Sequence, residues 1–252
     1  MNEWMSLLLL AIVLCAGIFA QAASGFAAGL LIISTLVWFG YPIPEAQASL
    51  IVATIPQNIW GVWKFRDSIE VRQIAWPATA RLACLPIGIA VLDAMESLPM
   101  ETMKQVVGGI MLTITLLICF LNPKPRTQLH WGWSWIAFPV SGFLQGLVGM
   151  GGPAMVLWVQ AHDWDTKRTR GFLFAMYLVS MLPALAMLYF AFGTRIIEPS
   201  LIAALLTPLL LVSTSLGLRA GTRLGRQRLR KLTLCILILI GCLAVASPWL
   251  PR

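Results

Sequence analysis

Charge is what this sequence has least of. Only 11% of its 252 residues are Asp, Glu, Lys or Arg, against roughly 25% in a soluble domain. So few charges cannot coat a water-facing globule, which excludes an ordinary soluble enzyme, and the apolar load excludes a disordered or fibrous chain. Carboxylates are absent from the interior of every apolar run. All ten (Glu3, Glu45, Asp67, Glu70, Asp93, Glu96, Glu101, Asp163, Asp165 and Glu198) fall in polar breaks or near a terminus. No acid is therefore placed to relay protons or to hold sodium at depth. The five cysteines (Cys15, Cys84, Cys119, Cys235 and Cys242) form no CxxC pair and lie inside apolar runs, where thiols behave as small apolar groups. His162-Asp163 has no third ligand nearby and reads as a solvated loop, so no metal and no cofactor is expected. A catalytic reading finds no nucleophile, carboxylate pair or full metal set within the runs, and an intramembrane enzyme is a less favoured alternative than an anion channel.

What the sequence has in abundance is apolar length: 59% of its residues are hydrophobic and the mean hydropathy is +0.83. At about 20 residues per spanning helix, the chain holds about eight segments. The runs read as 4–38, 46–63, 73–92, 103–121, 131–160, 171–192, 200–218 and 232–250. The first begins without the basic region of a signal peptide and reads as a retained segment. The expected class is an all-α polytopic membrane protein with the lipid bilayer as its main partner. The net charge of +8 resides largely in loops, where it orients the chain in the membrane, and no nucleic-acid partner is expected.

Loops 64–72 and 162–170 each carry three Lys or Arg, loop 122–130 carries two, and the run 219–231 carries six. Loops 93–101 and 193–199 carry none and one. The positive-inside rule places the rich loops in the cytoplasm and both termini in the periplasm of a cell inner membrane. Runs 4–38 and 131–160, too long for one helix, must then each begin and end on one side, which predicts re-entrant or broken hairpins. The segment FAQAASGFAA (19–28) aligns without a gap to FLQGLVGMGG (143–152), and Ile55-Pro56 aligns to Leu182-Pro183 after a short insertion. The fold expected is two inverted repeats, each a hairpin followed by three spans: residues 1–122, a cytoplasmic linker 123–130, and residues 131–252, forming one integrated membrane domain. Inverted repeats with broken helices are typical of secondary transporters.

At SGFLQGLVGMGGPAMVLWVQ (141–160), with its weaker copy GIFAQAASGFAAGLLIIS (17–34), the chain resembles the sulfite exporter TauE/SafE family. The first copy departs from the motif, with Ala27-Ala28 where glycines are usual. The resemblance covers essentially the whole chain. It implies transport of sulfite, organosulfonates or related small organic anions across the cytoplasmic membrane, usually outward.

The candidate substrate-binding residues follow from the chemistry of an anion at membrane depth. Gly25, Gly149, Gly151 and Gly152, with Ser24, mark breaks where free N–H groups and a positive helix end face inward. Pro153 suits the first turn of the helix that follows. The alternative is that these glycines merely allow close helix packing. Gln21 and Gln145 occupy equivalent positions and can donate to an oxyanion, or else glue helices together. Gln57 and Asn58 beside Pro56, and Ser180 ahead of Pro183, could serve substrate or satisfy carbonyls freed by proline. Arg81 lies well inside run 73–92, where a charge is costly and usually marks a pathway; snorkelling is the competing view. The function expected is a secondary transporter of small sulfur-containing or organic anions, with an anion channel as the alternative. A homo-oligomer is compatible with the chain.

Overall fold

A computed structural model describes residues 3–24, 27–120, 129–224 and 226–246 of the chain. The expected linker falls almost wholly outside these residues, as does Gly25. All regular structure among the described residues is helical.

Run 4–38 forms α1 (Glu3–Ser24) and α2 (Ala28–Trp38). Gly17 on α1 faces Ile32 on α2, and the Tyr41 hydroxyl, just past α2, donates to the Ser6 carbonyl at 2.8 Å. The run is therefore a hairpin that begins and ends at one end of the molecule. Its arms are unequal: α1 is about 33 Å long at 1.5 Å per residue, and α2 is half that. Run 131–160 forms α6 (Gly132–Val148) and α7 (Gly152–Gln160). Here too the chain turns back, with Trp158 Nε1 donating to Ser134 Oγ at 3.1 Å and the Phe138 and Trp158 rings 4.9 Å apart.

The other helices are α3 (Ile43–Phe65), α4 (Val71–Met95), α5 (Met100–Phe120), α8 (Thr166–Phe192), α9 (Ile197–Leu205), α10 (Thr207–Leu224) and α11 (Arg226–Ala246). By length and composition, Trp4–Ala23, Val71–Met95, Met100–Phe120 and the stretch Thr166–Leu205 can cross a membrane. The polar side chains of α3 explain its lower apolarity. Gln47, Ser49, Thr54, Gln57 and Asn58 are all buried within the protein, away from lipid. The expected single span 200–218 is corrected: the chain breaks at Leu206 between α9 and α10. Pro208 cannot donate to the carbonyl four residues back and its ring crowds that turn.

Helix α4 packs along α6 and α1 along α10, while α3 meets α8 and α5 meets α11. Glycines allow the first two pairs to approach backbone to backbone. A Cβ on Gly142 would land on the Arg81 carbonyl, one on Gly146 on the Leu85 carbonyl, and one on Gly88 on the Phe143 carbonyl. In the other pair, a Cβ on Gly217 of α10 would sit 2.5 Å from the Phe19 carbonyl of α1. Ion pairs tie both ends of α8 to the chain around α4. Arg168 in its first turn meets Glu70 at 3.0 Å, and Arg195 beyond its last residue pairs with Glu96.

Candidate functional site

The break between α6 and α7 is built by three residues. Gly149 adopts φ +68, a left-handed conformation that favours glycine. Its N–H returns to the Gln145 carbonyl at 3.0 Å, and Met150 N–H reaches the Leu144 carbonyl at 3.2 Å. The Gly149 bond is an αL-type closure that stops α6 abruptly. Pro153 in the first turn of α7 then starts the second arm without wasting a donor. No side chain caps α7, so its first N–H groups have no side-chain partner. The opposite hairpin comes to the same place: a Cβ on Gly29, in the first turn of α2, would sit 2.7 Å from the Gly149 carbonyl oxygen. Gln47 of α3 pins the arrangement by donating to the Gly146 carbonyl at 3.3 Å.

Between these breaks lies a cavity whose space for water centres is about 40 Å³. A cavity needs about 10–15 Å³ of such space to hold a water, so this one has room for water. Its walls come from Gln21 on α1, Gly29 and Leu30 on α2, and Leu50, Ile51 and Thr54 on α3. Gln145, Gly149, Met150, Gly152 and Pro153 of the second hairpin, with Tyr177 and Met181 on α8, complete them. No carboxylate is among them. Thr54 spends its hydroxyl proton on its own helix, 2.8 Å from the Leu50 carbonyl. The donors left for an occupant are the glutamine amides, the Tyr177 hydroxyl and backbone N–H groups at the start of α7.

Arg81 stands one residue behind this wall. It is 1% exposed, which excludes snorkelling, and among the described residues no carboxylate pairs with it. Its Nη1 donates to Met155 Sδ at 2.6 Å and its Nη2 to Gln145 Oε1 at 3.2 Å. The guanidinium carbon lies 5.7 Å from the centre of the Tyr177 ring, within reach of a cation–π attraction, and Nε has no partner. Because arginine only donates, Gln145 must present its oxygen to Arg81, which leaves the amide N–H groups of Gln145 for the cavity.

The remaining sequence-derived residues lie nearby. Gly151 has no room for a side chain against the Ser141 carbonyl, 2.4 Å or so from where a Cβ would fall, and it backs Gln145. Ser180 donates to the Met176 carbonyl of its own helix at 2.7 Å, satisfying local backbone. Asn58 Nδ2 donates to the Thr54 carbonyl at 2.9 Å and touches Met181 Sδ at 3.3 Å. It sits behind the cavity wall, and the side-chain oxygens of Gln57 and Asn58 are buried without partners. Ser24 closes α1. At the far end of α7, His162 lies between Trp158 and Trp164. Burial pushes its imidazole below the usual range, against the opposing hydrogen bond to the Trp158 carbonyl.

Sequence reasoning missed Tyr177, Thr54, Met181 and the apolar walls. The signal for Tyr177 was its position: tyrosine favours membrane interfaces, and this one is deep within an apolar run.

A helical membrane protein, multi-pass, with a donor-lined cavity where two helix breaks meet: that is the class these features define. The chain belongs to the sulfite exporter TauE/SafE family, whose model matches residues 9–244. It is similar to the probable sulfite/organosulfonate exporter TauE of Cupriavidus necator, with 23% identity over 240 residues that make up 93% of each chain. No solved structure matches it.

Proposed function

We propose that this protein is a secondary transporter that exports small sulfur-containing oxyanions, of the sulfite or organosulfonate type, across the cytoplasmic membrane. The observation that carries the reading is the cavity itself: small, lined by donors, free of carboxylates, and backed by a buried arginine. Such a site favours an anion by preorganised dipoles and one fixed charge. The family membership and the relative's name support the choice of sulfur anions.

The two halves act as inverted repeats in this reading. Gly88 of α4 abuts the Phe143 carbonyl of α6, and Gly217 of α10 abuts the Phe19 carbonyl of α1. Phe19 and Phe143 occupy the same place in the aligned segments, so one contact is made twice. Loop charges put the termini outside and the Glu70–Arg168 pair inside. The Glu96–Arg195 pair then lies on the outer face.

Transport is driven by the membrane potential. An anion leaving a negative interior needs no coupling site, and 100 mV contributes about 2.3 kcal/mol per charge, about a fiftyfold gradient. The test is reconstitution in sealed vesicles with a potassium diffusion potential and no sodium or proton gradient, using sulfite, sulfoacetate and thiosulfate. Efflux from the negative side should saturate, accelerate with the potential and persist without sodium. Flux that ignores the potential and follows an imposed proton gradient overturns the mechanism, and non-saturating flux makes the protein a channel.

A further inference from the structure

We infer that the Tyr177 hydroxyl is the specificity-determining donor of the cavity, recognising an oxyanion head such as –SO₃⁻, while Arg81 supplies charge without discrimination. The inference rests on the anion-transport reading above and assigns a residue to it.

Three observations point there. Tyr177 lines the cavity, yet among the described residues no acceptor takes its hydroxyl proton, in contrast to Thr54 and Ser180, which both bond to their own helices. Tyr177 is only partly buried, and a phenol at membrane depth normally finds a partner, so the acceptor is to come from the occupant. Gly152 is the second observation. A Cβ there would sit 2.6 Å from Tyr177 Oη, so the glycine reserves the space in which the hydroxyl stands. That space is at the first turn of α7, where unpaired backbone N–H groups also gather. The third is the division of labour with Arg81. The guanidinium is held by Met155, Gln145 and the Tyr177 ring, and it does not line the cavity. Its long-range attraction is felt by any monovalent anion. A hydroxyl hydrogen bond is short and directional, so it favours an oxygen acceptor.

The experiment measures anion binding and flux for wild type, Tyr177→Phe, Gly152→Ala and the double variant, with sulfite and with bromide as a monatomic probe. Removing one hydrogen bond to a charged acceptor lowers affinity about ten- to a hundredfold. Tyr177→Phe should weaken sulfite by that factor and bromide less than about threefold, because the ring and the Arg81 charge remain. Gly152→Ala should push the hydroxyl aside and weaken sulfite similarly. In the Tyr177→Phe background it should add little, since the methyl then has room. Thermal melting of each purified variant separates loss of fold from loss of binding. Equal losses for sulfite and bromide, unchanged sulfite affinity in Tyr177→Phe, or a full additional loss in the double variant each overturn the inference. Wild type that binds none of the anions refutes the transport reading itself, and this inference with it.

Discussion

Replacing Arg81 by glutamine removes the charge while keeping a polar, though shorter, side chain. The substrate would sit across one amide group, Gln145, from the guanidinium. At a separation on the order of 6–8 Å and an effective dielectric of about 20, unit charges attract by about 2–3 kcal/mol, which is about 30- to 100-fold in affinity. Arg81→Gln should therefore raise the half-saturating anion concentration by that factor, and bromide should suffer as much as sulfite. Arg81→Lys should keep part of the attraction but lose the fork that holds Met155 and Gln145 together. Stability should move the other way. A charge deep in a membrane costs about 2.5–3.5 kcal/mol on insertion scales, so Arg81→Met should insert and melt at least as well as wild type while losing anion affinity as Arg81→Gln does. The measurements are saturation curves in vesicles and melting of the detergent-purified protein. An Arg81→Gln variant that transports normally, or an Arg81→Met variant that keeps its affinity but melts early, refutes the reasoning and makes the arginine structural.

Three further outcomes test the architecture. Gly142→Ala forces a methyl onto the Arg81 carbonyl and should cost about 1–3 kcal/mol in overpacking, read as a lowered melting temperature. Gly109→Ala in α5 meets open space and should stabilise by about 0.5–1 kcal/mol. Single cysteines placed at Ser68 and Thr194 should label from opposite faces of the membrane; labelling from one face ends the inverted-repeat reading.

The hairpins were legible because their signals are local. A left-handed glycine, a following proline and a run of the wrong length for one span fix the turn at 149–153 without reference to anything distant. Gln21, Gln145, Gly149, Gly152 and Pro153 reach the cavity wall for the same reason: they sit at or just before the breaks. Tyr177 and Thr54 were hidden because only the crossing of α3 and α8 at the hairpin tips gives them a cavity to face. Arg81 stood out as a charge, but its place behind Gln145 depends on α4 and α6 touching through Gly142 and Gly146. The break at Leu206 was overlooked because the composition stays apolar through Pro208, and hydropathy does not register a lost hydrogen bond.

Arg81 also constrains the order in which the protein can be made. Gln145, Met155 and Tyr177, which hold its guanidinium, all come later in the chain. At a synthesis rate of about 5–20 residues per second, roughly five to twenty seconds separate the emergence of Arg81 from that of Tyr177. Throughout that interval α4 carries an unmatched cation, and it cannot settle against lipid as a finished helix. It must wait beside the insertion machinery, or with its arginine turned to water, until α6 arrives. The first half of the chain thus carries a buried charge whose partners are supplied by the second.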